Sequence, residues 1–210
     1  MSTIAILGSG RVGRALATKL ATTHDVVVGS RAPDDAAAAW EGPAVEFARV
    51  GDAIRRADLV VNATPGESAL ERLIEHREAL DGKILVDVSN ATERVEGGPG
   101  HLVYPGSSLA EHLQEALPGT RVVKTLNTML FMVMTAPSVL AHPATALLSG
   151  DDDEAKATVR DLLGDLGWPS DQVLDLGGIA TARGVEALIL LVPDLLRARG
   201  FAPFAISIVS

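Results

Sequence analysis

The sequence predicts an α/β protein: a doubly wound, mostly parallel sheet with helices on both faces and a small helical C-terminal extension. Three observations carry that expectation. Short β-branched runs alternate with helical stretches along the chain. The first run passes directly into Gly8-Ser9-Gly10-Arg11-Val12-Gly13, the spacing of a turn that cradles phosphate. Finally, 210 residues with 47% hydrophobic and 21% charged side chains suit one globular domain with a modest extension.

Each element has its own signal. Thr3–Leu7 is an apolar run too short for a helix and ends in glycine, so it reads as a buried strand. Val12–Ala21 repeats apolar residues at Val12, Leu16 and Leu20, a helical period. Asp25–Val28 is a second strand, Ala44–Phe47 a weaker third, and Val50–Arg56 a short helix. Asp58–Ala63 is a strong fourth strand, stopped by Thr64-Pro65-Gly66. Glu67–Leu80 reads as helix, and Asp81-Gly82 turns into a fifth strand, Lys83–Val88. Asn90–Ser107, rich in Gly and Pro, reads as a long irregular connection, a kind of segment that often carries function. Ser108-Leu109-Ala110-Glu111 has the form of a capping box and opens a helix to Leu117, ended by Pro118-Gly119. Arg121–Thr125 is the sixth strand. Further strands are expected at Thr145–Leu148 and Gln172–Asp175, around a helix from Glu154 to Leu166, with a last helix over Thr181–Arg199.

Composition narrows the chemistry. There is no cysteine, which excludes disulfides, iron–sulfur clusters, thiolate nucleophiles and Cys-ligated zinc. A formal charge of −9 argues against a nucleic-acid or anionic-membrane partner. The apolar runs Met129–Met134 and Ala187–Pro193 fall short of the ~20 residues of a membrane span. The N-terminus lacks the basic region of a signal peptide, so a cytoplasmic protein is expected. The five histidines show no metal-ligand spacing, and the carboxylates Asp151–Glu154 read as complements to a helix dipole rather than a metal site. Gly106-Ser107-Ser108 lacks the nucleophile elbow of a hydrolase. Only 3% of residues are aromatic, so a bound ring must lie against aliphatic, methionine and backbone surfaces.

The glycine loop selects a dinucleotide. Gly8 permits the tight turn, Gly10 lets the backbone approach a pyrophosphate, and Gly13 lets the helix pack close on the sheet. The helix N-terminus then offers free N–H groups to the phosphates. Between a strand and a helix this motif is the Rossmann fingerprint. NAD sites usually place Asp or Glu at the end of the second strand; here stand Gly29, Ser30 and Arg31. A hydroxyl and a guanidinium suit a 2′-phosphate, and Arg11 is within the same reach, so the expected cofactor is NADP(H).

The chain resembles the NADPH-dependent reductases of the deazaflavin coenzyme F420, the F420-dependent NADP oxidoreductases. The resemblance rests on Ile6–Gly13, Val26–Arg31, the strand end Ala63-Thr64-Pro65, Leu85–Asn90, Val122–Thr128, Gly150–Lys156 and Asp175–Glu186. It implies that Gly8, Ser9, Gly10, Arg11, Val12 and Gly13 cradle the phosphates, that Ser30 and Arg31 hold the 2′-phosphate, and that Ala63, Thr64 and Pro65 flank the nicotinamide ribose. It also places the deazaflavin pocket at Asn127, Thr128, Met129 and Leu130. The family commonly carries a small residue and a proline shortly after the threonine; this chain carries the bulkier Met129-Leu130-Phe131-Met132. The resemblance divides the chain into an NADP-binding Rossmann-like domain, 1–150, and a small C-terminal part, 151–210, that closes the pocket and mediates dimerisation. The apolar stretches Val185–Leu196 and Phe201–Val209 agree with a homodimer.

Hydride transfer between NADP(H) and a deazaflavin, or a related flavin, is thus the leading expectation. It needs no side-chain acid or base, only two rings held close with water excluded. An NADP-dependent reductase of a small carbonyl or imine compound is the alternative. That chemistry needs a proton donor, for which Tyr104 and Lys124 are the candidates, with Lys124 otherwise a strand-end charge or a phosphate contact. A non-catalytic NADP(H)-binding sensor is the third reading.

Overall fold

The computed structural model describes residues 2–95 and 98–209. The chain opens with β1 (Thr3–Leu7), α1 (Arg11–Leu20), β2 (Asp25–Ser30), α2 (Pro33–Ala38), β3 (Glu46–Arg49), α3 (Val50–Arg56) and β4 (Leu59–Asn62). It continues through α4 (Ala69–Ile74), α5 (Arg77–Leu80), β5 (Ile84–Asp87), β6 (Thr92–Val95), β7 (Gly98–Leu102), α6 (Leu109–Ala116), β8 (Arg121–Lys124) and α7 (Phe131–Met134). The last elements are β9 (Ala146–Leu148), α8 (Asp153–Asp165), β10 (Val173–Asp175), α9 (Ala182–Ala187) and α10 (Val192–Arg199).

Six strands form one parallel sheet in the order β3-β2-β1-β4-β5-β8, the doubly wound Rossmann arrangement. Its strands read as continuous apolar runs because both faces are covered. Ile4, Ile6, Val26 and Val28 belong to one core, while Ala5, Leu7 and Val27 belong to the other. The order reverses between β1 and β4, so a crevice opens beyond their C-terminal ends.

Residues past 150 share these cores. Val159, Leu162, Leu163 and Trp168 belong to the first of these cores, with α8 against β8, and Ile179 and Ala182 belong to the other. Trp168 Nε1 donates to Met134 O at 3.0 Å, which satisfies the one polar atom of a buried indole. The carboxylates of Asp151–Glu154 act locally. Asp152 caps α8 by accepting from Ala155 N, and Asp151 accepts from Ile179 N at 2.8 Å.

Four segments differ from the reading by periodicity. Asn90–Ser107 is not irregular throughout, since β6 and β7 pair in an antiparallel hairpin with a register shift between Thr92 and Arg94. The sequence of β7, Gly-Pro-Gly-His-Leu, carries almost no strand propensity, so the hairpin left no signal. Glu67–Leu80 is divided by a turn at His76 into α4 and α5. Thr181–Arg199 is also broken, because Pro193 has no N–H to donate inside a helix and instead opens α10. Finally, β9 and β10 form a separate two-stranded parallel sheet, linked to the main one by a bridge between Lys124 and Ser149. No helix among the described residues is long and apolar enough to cross a membrane.

Candidate functional site

The crevice at the strand-order switch is a groove of about 1240 Å³. Its floor is the glycine turn. Gly8 adopts φ +108°, and its N–H donates to Gly29 O at 2.9 Å. A side chain there would meet Ala63 O at 2.8 Å, so the turn and the tip of β4 approach each other closely. At Gly13 an added Cβ would fall 1.9 Å from Gly8 O, which fixes α1 against the turn. Gly10 is different: nothing lies within 4 Å of an added Cβ. It is the N-cap of α1 and has no side chain to cap the helix, which leaves first-turn N–H groups for an anion.

Of the eleven residues expected at the nucleotide, Gly8, Ser9, Gly10, Arg11, Val12, Ser30, Arg31, Ala63, Thr64 and Pro65 line this groove. Gly13 does not, because it lies beneath the turn in the helix packing. Ser30 Oγ accepts from Ala32 N at 3.2 Å, shaping the turn after β2. Arg31 is exposed and enters no ion pair among the described residues, so its guanidinium is unengaged. Arg14 also lines the groove, held by Ser9 O at 3.1 Å and Ala39 O at 2.7 Å. Its position one helical turn after Arg11 was the available signal for it.

A second, apolar cavity of about 460 Å³ adjoins the groove. Asn127, Thr128, Met129 and Leu130 all line it, opposite Leu188, Leu195 and Phe204 of the C-terminal part. The final segment crosses this cavity as a strap, with Leu130 N donating to Phe204 O at 3.2 Å and Thr145 N to Ile206 O at 2.8 Å. Arg11 and Val12 border both cavities, and the Arg11 guanidinium lies 5.9 Å from the centre of the Phe131 ring. The chain reaches the cavity through Leu126, the one non-glycine residue at positive φ among those described (61°). A leucine held in that region is strained, and such strain clusters at ligand sites. Just beyond it, the buried atoms Asn127 Oδ1 and Thr128 Oγ1 have no hydrogen-bond partner among the described residues. These two side chains were found by resemblance alone.

Beneath the site runs a polar chain that the sequence did not reveal. Thr64 Oγ1 donates to Asn62 Oδ1 at 2.6 Å, and Asn62 Nδ2 donates to Asp87 Oδ1 at 2.8 Å. Lys124 Nζ lies 2.7 Å from Asp87 Oδ2 and 2.9 Å from Glu186 Oε1. Burial pulls the Lys124 ammonium toward neutrality, but the two carboxylates outweigh it and hold its pKa above the usual lysine value. Lys124 is thus a strand-end charge, closing β8, but one that is wholly buried and paired, and it does not line the groove. It lines neither cavity. Tyr104 also lies outside both cavities. Its ring stacks against His112 with centroids 4.2 Å apart, and burial, aided by Glu71 and Glu186, raises its hydroxyl above the usual tyrosine pKa.

Residues 3–91 match the family model described as NADP oxidoreductase, coenzyme F420-dependent. An F420-dependent NADP reductase of Methanocaldococcus jannaschii is 29% identical over 208 residues, covering 91% of each chain. The metalloreductase STEAP3 of Rattus norvegicus is 36% identical over 198 residues, covering 91% of this chain; the match spans only 37% of that longer protein. A crystal structure from Arthrobacter sp. FB24, described provisionally as an F420-dependent NADP-reductase, superposes with a TM-score of 0.90 at 39% identity, covering 100% of both chains.

Proposed function

This chain belongs to the coenzyme F420-dependent NADP oxidoreductase family, and on that premise we propose that it moves a hydride between NADP(H) in the groove and F420 in the apolar cavity. The observation that carries this division of labour is the meeting of the two cavities at Arg11 and Val12. The groove suits NADP(H) on its own geometry. Gly10 leaves open space for a pyrophosphate at the α1 N-terminus, and Arg31 is unengaged at the tip of β2, where a 2′-phosphate would need a cation.

When bound, the nicotinamide supplies the hydride. The protein's share is placement. The α1 N-terminus and Arg11 bind the phosphates, Ser30 and Arg31 bind the 2′-phosphate, and Ala63, Thr64 and Pro65 orient the nicotinamide ribose. Asn127, Thr128, Met129 and Leu130 form the cavity wall against the second ring, and the C-terminal strap excludes water. Residues 1–150 thus act as the nucleotide domain and 151–210 as the closing part. Rings held about 3–3.5 Å apart need no protein acid or base for this transfer. A carbonyl or imine reductase does need one beside its substrate, and Tyr104 and Lys124 lie outside both cavities.

Purified protein should oxidise NADPH when F420 is supplied, followed by loss of deazaflavin absorbance. Absence of turnover with both F420 and a flavin would overturn the assignment. The same reading has the enzyme working in the cytoplasm, which cell fractionation checks, and as a homodimer. The dimer is supported by the exposed apolar side chains Leu190, Leu191, Leu195 and Phe201.

A further inference from the structure

We infer that Lys124 and Glu186 are positioning residues: their buried ion pair fastens α9, and with it the C-terminal wall of the apolar cavity, to the strand tips that carry the nucleotide groove. The inference rests on the reading that the groove takes the nucleotide and the cavity takes the ring.

Five elements converge on one lysine. Lys124 ends β8 with a side chain that is 0% exposed. Its ammonium donates to Asp87 Oδ2 at 2.7 Å and to Ser89 O at 2.5 Å, and pairs with Glu186 Oε1 at 2.9 Å, so all three protons have partners. Asp87 passes the connection to Asn62 and thus to Thr64 on the groove wall. Glu186 passes it to α6, accepting from Leu109 N at 3.0 Å and Ala110 N at 3.3 Å. Next to it in the chain, Val185 O accepts from Asn127 Nδ2 at 3.2 Å, and Asn127 also donates to Asn90 Oδ1 at 2.9 Å. Beyond α9 the chain continues directly into Leu188 and Leu191, which form the far wall of the cavity.

A buried ion pair is a poor device for stability alone, since neutral replacements of similar volume often fold as well or better. What it fixes is geometry. The residues beside the network, Thr64, Ser89, Asn90 and Asn127, face the two cavities. Here a displacement near 1 Å is costly, because hydride transfer depends steeply on the separation of the rings.

The test compares wild type with E186Q, K124M and the triple variant D87N/K124M/E186Q. Four quantities are read: NADPH affinity by fluorescence titration, kcat and KM with F420, thermal midpoint, and hydrogen–deuterium exchange over residues 188–206. In E186Q we expect NADPH affinity within about twofold of wild type, kcat lower by about 10- to 100-fold, and faster exchange over 188–206. In the triple variant all three charges of the cluster are removed together, so the thermal midpoint returns toward wild type while kcat stays low. A kcat that recovers along with the midpoint would reduce the pair to a structural role. Exchange over 188–206 that matches wild type in E186Q would sink the inference by itself. Should K124M fail to fold, E186Q decides the matter alone. If wild type shows no turnover with F420, the functional reading falls, and the exchange measurement still tests the fastening.

Discussion

In the proposed function, Arg31 is the residue on which cofactor choice turns. It stands at the tip of β2, where an NAD-binding chain carries a carboxylate, and its guanidinium has no internal partner among the described residues. Replacing it with alanine should weaken NADPH by about 1.5–3 kcal/mol, the scale of charged hydrogen bonds, and leave NADH almost unchanged. Isothermal titration with both nucleotides checks this; equal losses would move the 2′-phosphate to another residue. The place of Arg31 on the groove was legible in the sequence from its neighbours, Gly29 and Ser30, and from its distance to the glycine turn. Lys124 was not. Its partners Asp87 and Glu186 lie far away in the chain, and a lysine at a strand end usually reaches solvent. Only the packing of β5, β8 and α9 shows that this one is enclosed. Thr128 illustrates a third case: an unpartnered buried hydroxyl is a property of coordinates, so the family resemblance had to supply it.

At the scale of the element, the turn between β1 and α1 separates two duties that one motif combines. Gly13 serves the fold and, in the proposed function, Gly10 serves the ligand, so alanine at each position should give opposite results. Gly13→Ala places a methyl group 1.9 Å from Gly8 O and should cost about 1–3 kcal/mol or more in stability. Gly10→Ala meets nothing within 4 Å and sits at φ −75°, so the thermal midpoint should hold while NADPH affinity falls. Thermal melts beside NADPH titrations check the pair, and a Gly13→Ala protein that melts like wild type would remove the packing argument. The elements legible in sequence were those with a strong period, such as β1, α1 and the capped helix α6. The β6–β7 hairpin escaped because its strands are short and rich in Gly and Pro. The breaks at His76 and Pro193 escaped because an apolar period can continue across an interruption in the backbone.

For the whole molecule, alternation of strand and helix was enough to give a mostly parallel sheet covered on both faces, while the order of its six strands came from the structure. The place of β9 and β10 was not predictable in that way. Three residues each, they continue no crossover of the main sheet and pair with one another. The exposed apolar face near the C-terminal strap carries the molecular prediction. A Leu191→Glu, Leu195→Glu protein should sediment as a monomer where wild type sediments as a dimer. Wild type that remains monomeric at micromolar concentration would remove the homodimer. Arg11 belongs to this scale as well, because one side chain forms part of both cavity walls. Its guanidinium cannot settle toward a nucleotide phosphate without also changing the surface offered to the second ring. Thermodynamic linkage then requires reciprocity: by whatever factor a bound nucleotide alters the affinity for the ring, the ring alters the affinity for the nucleotide. In the proposed function, the two substrates would in that sense be each other's effectors.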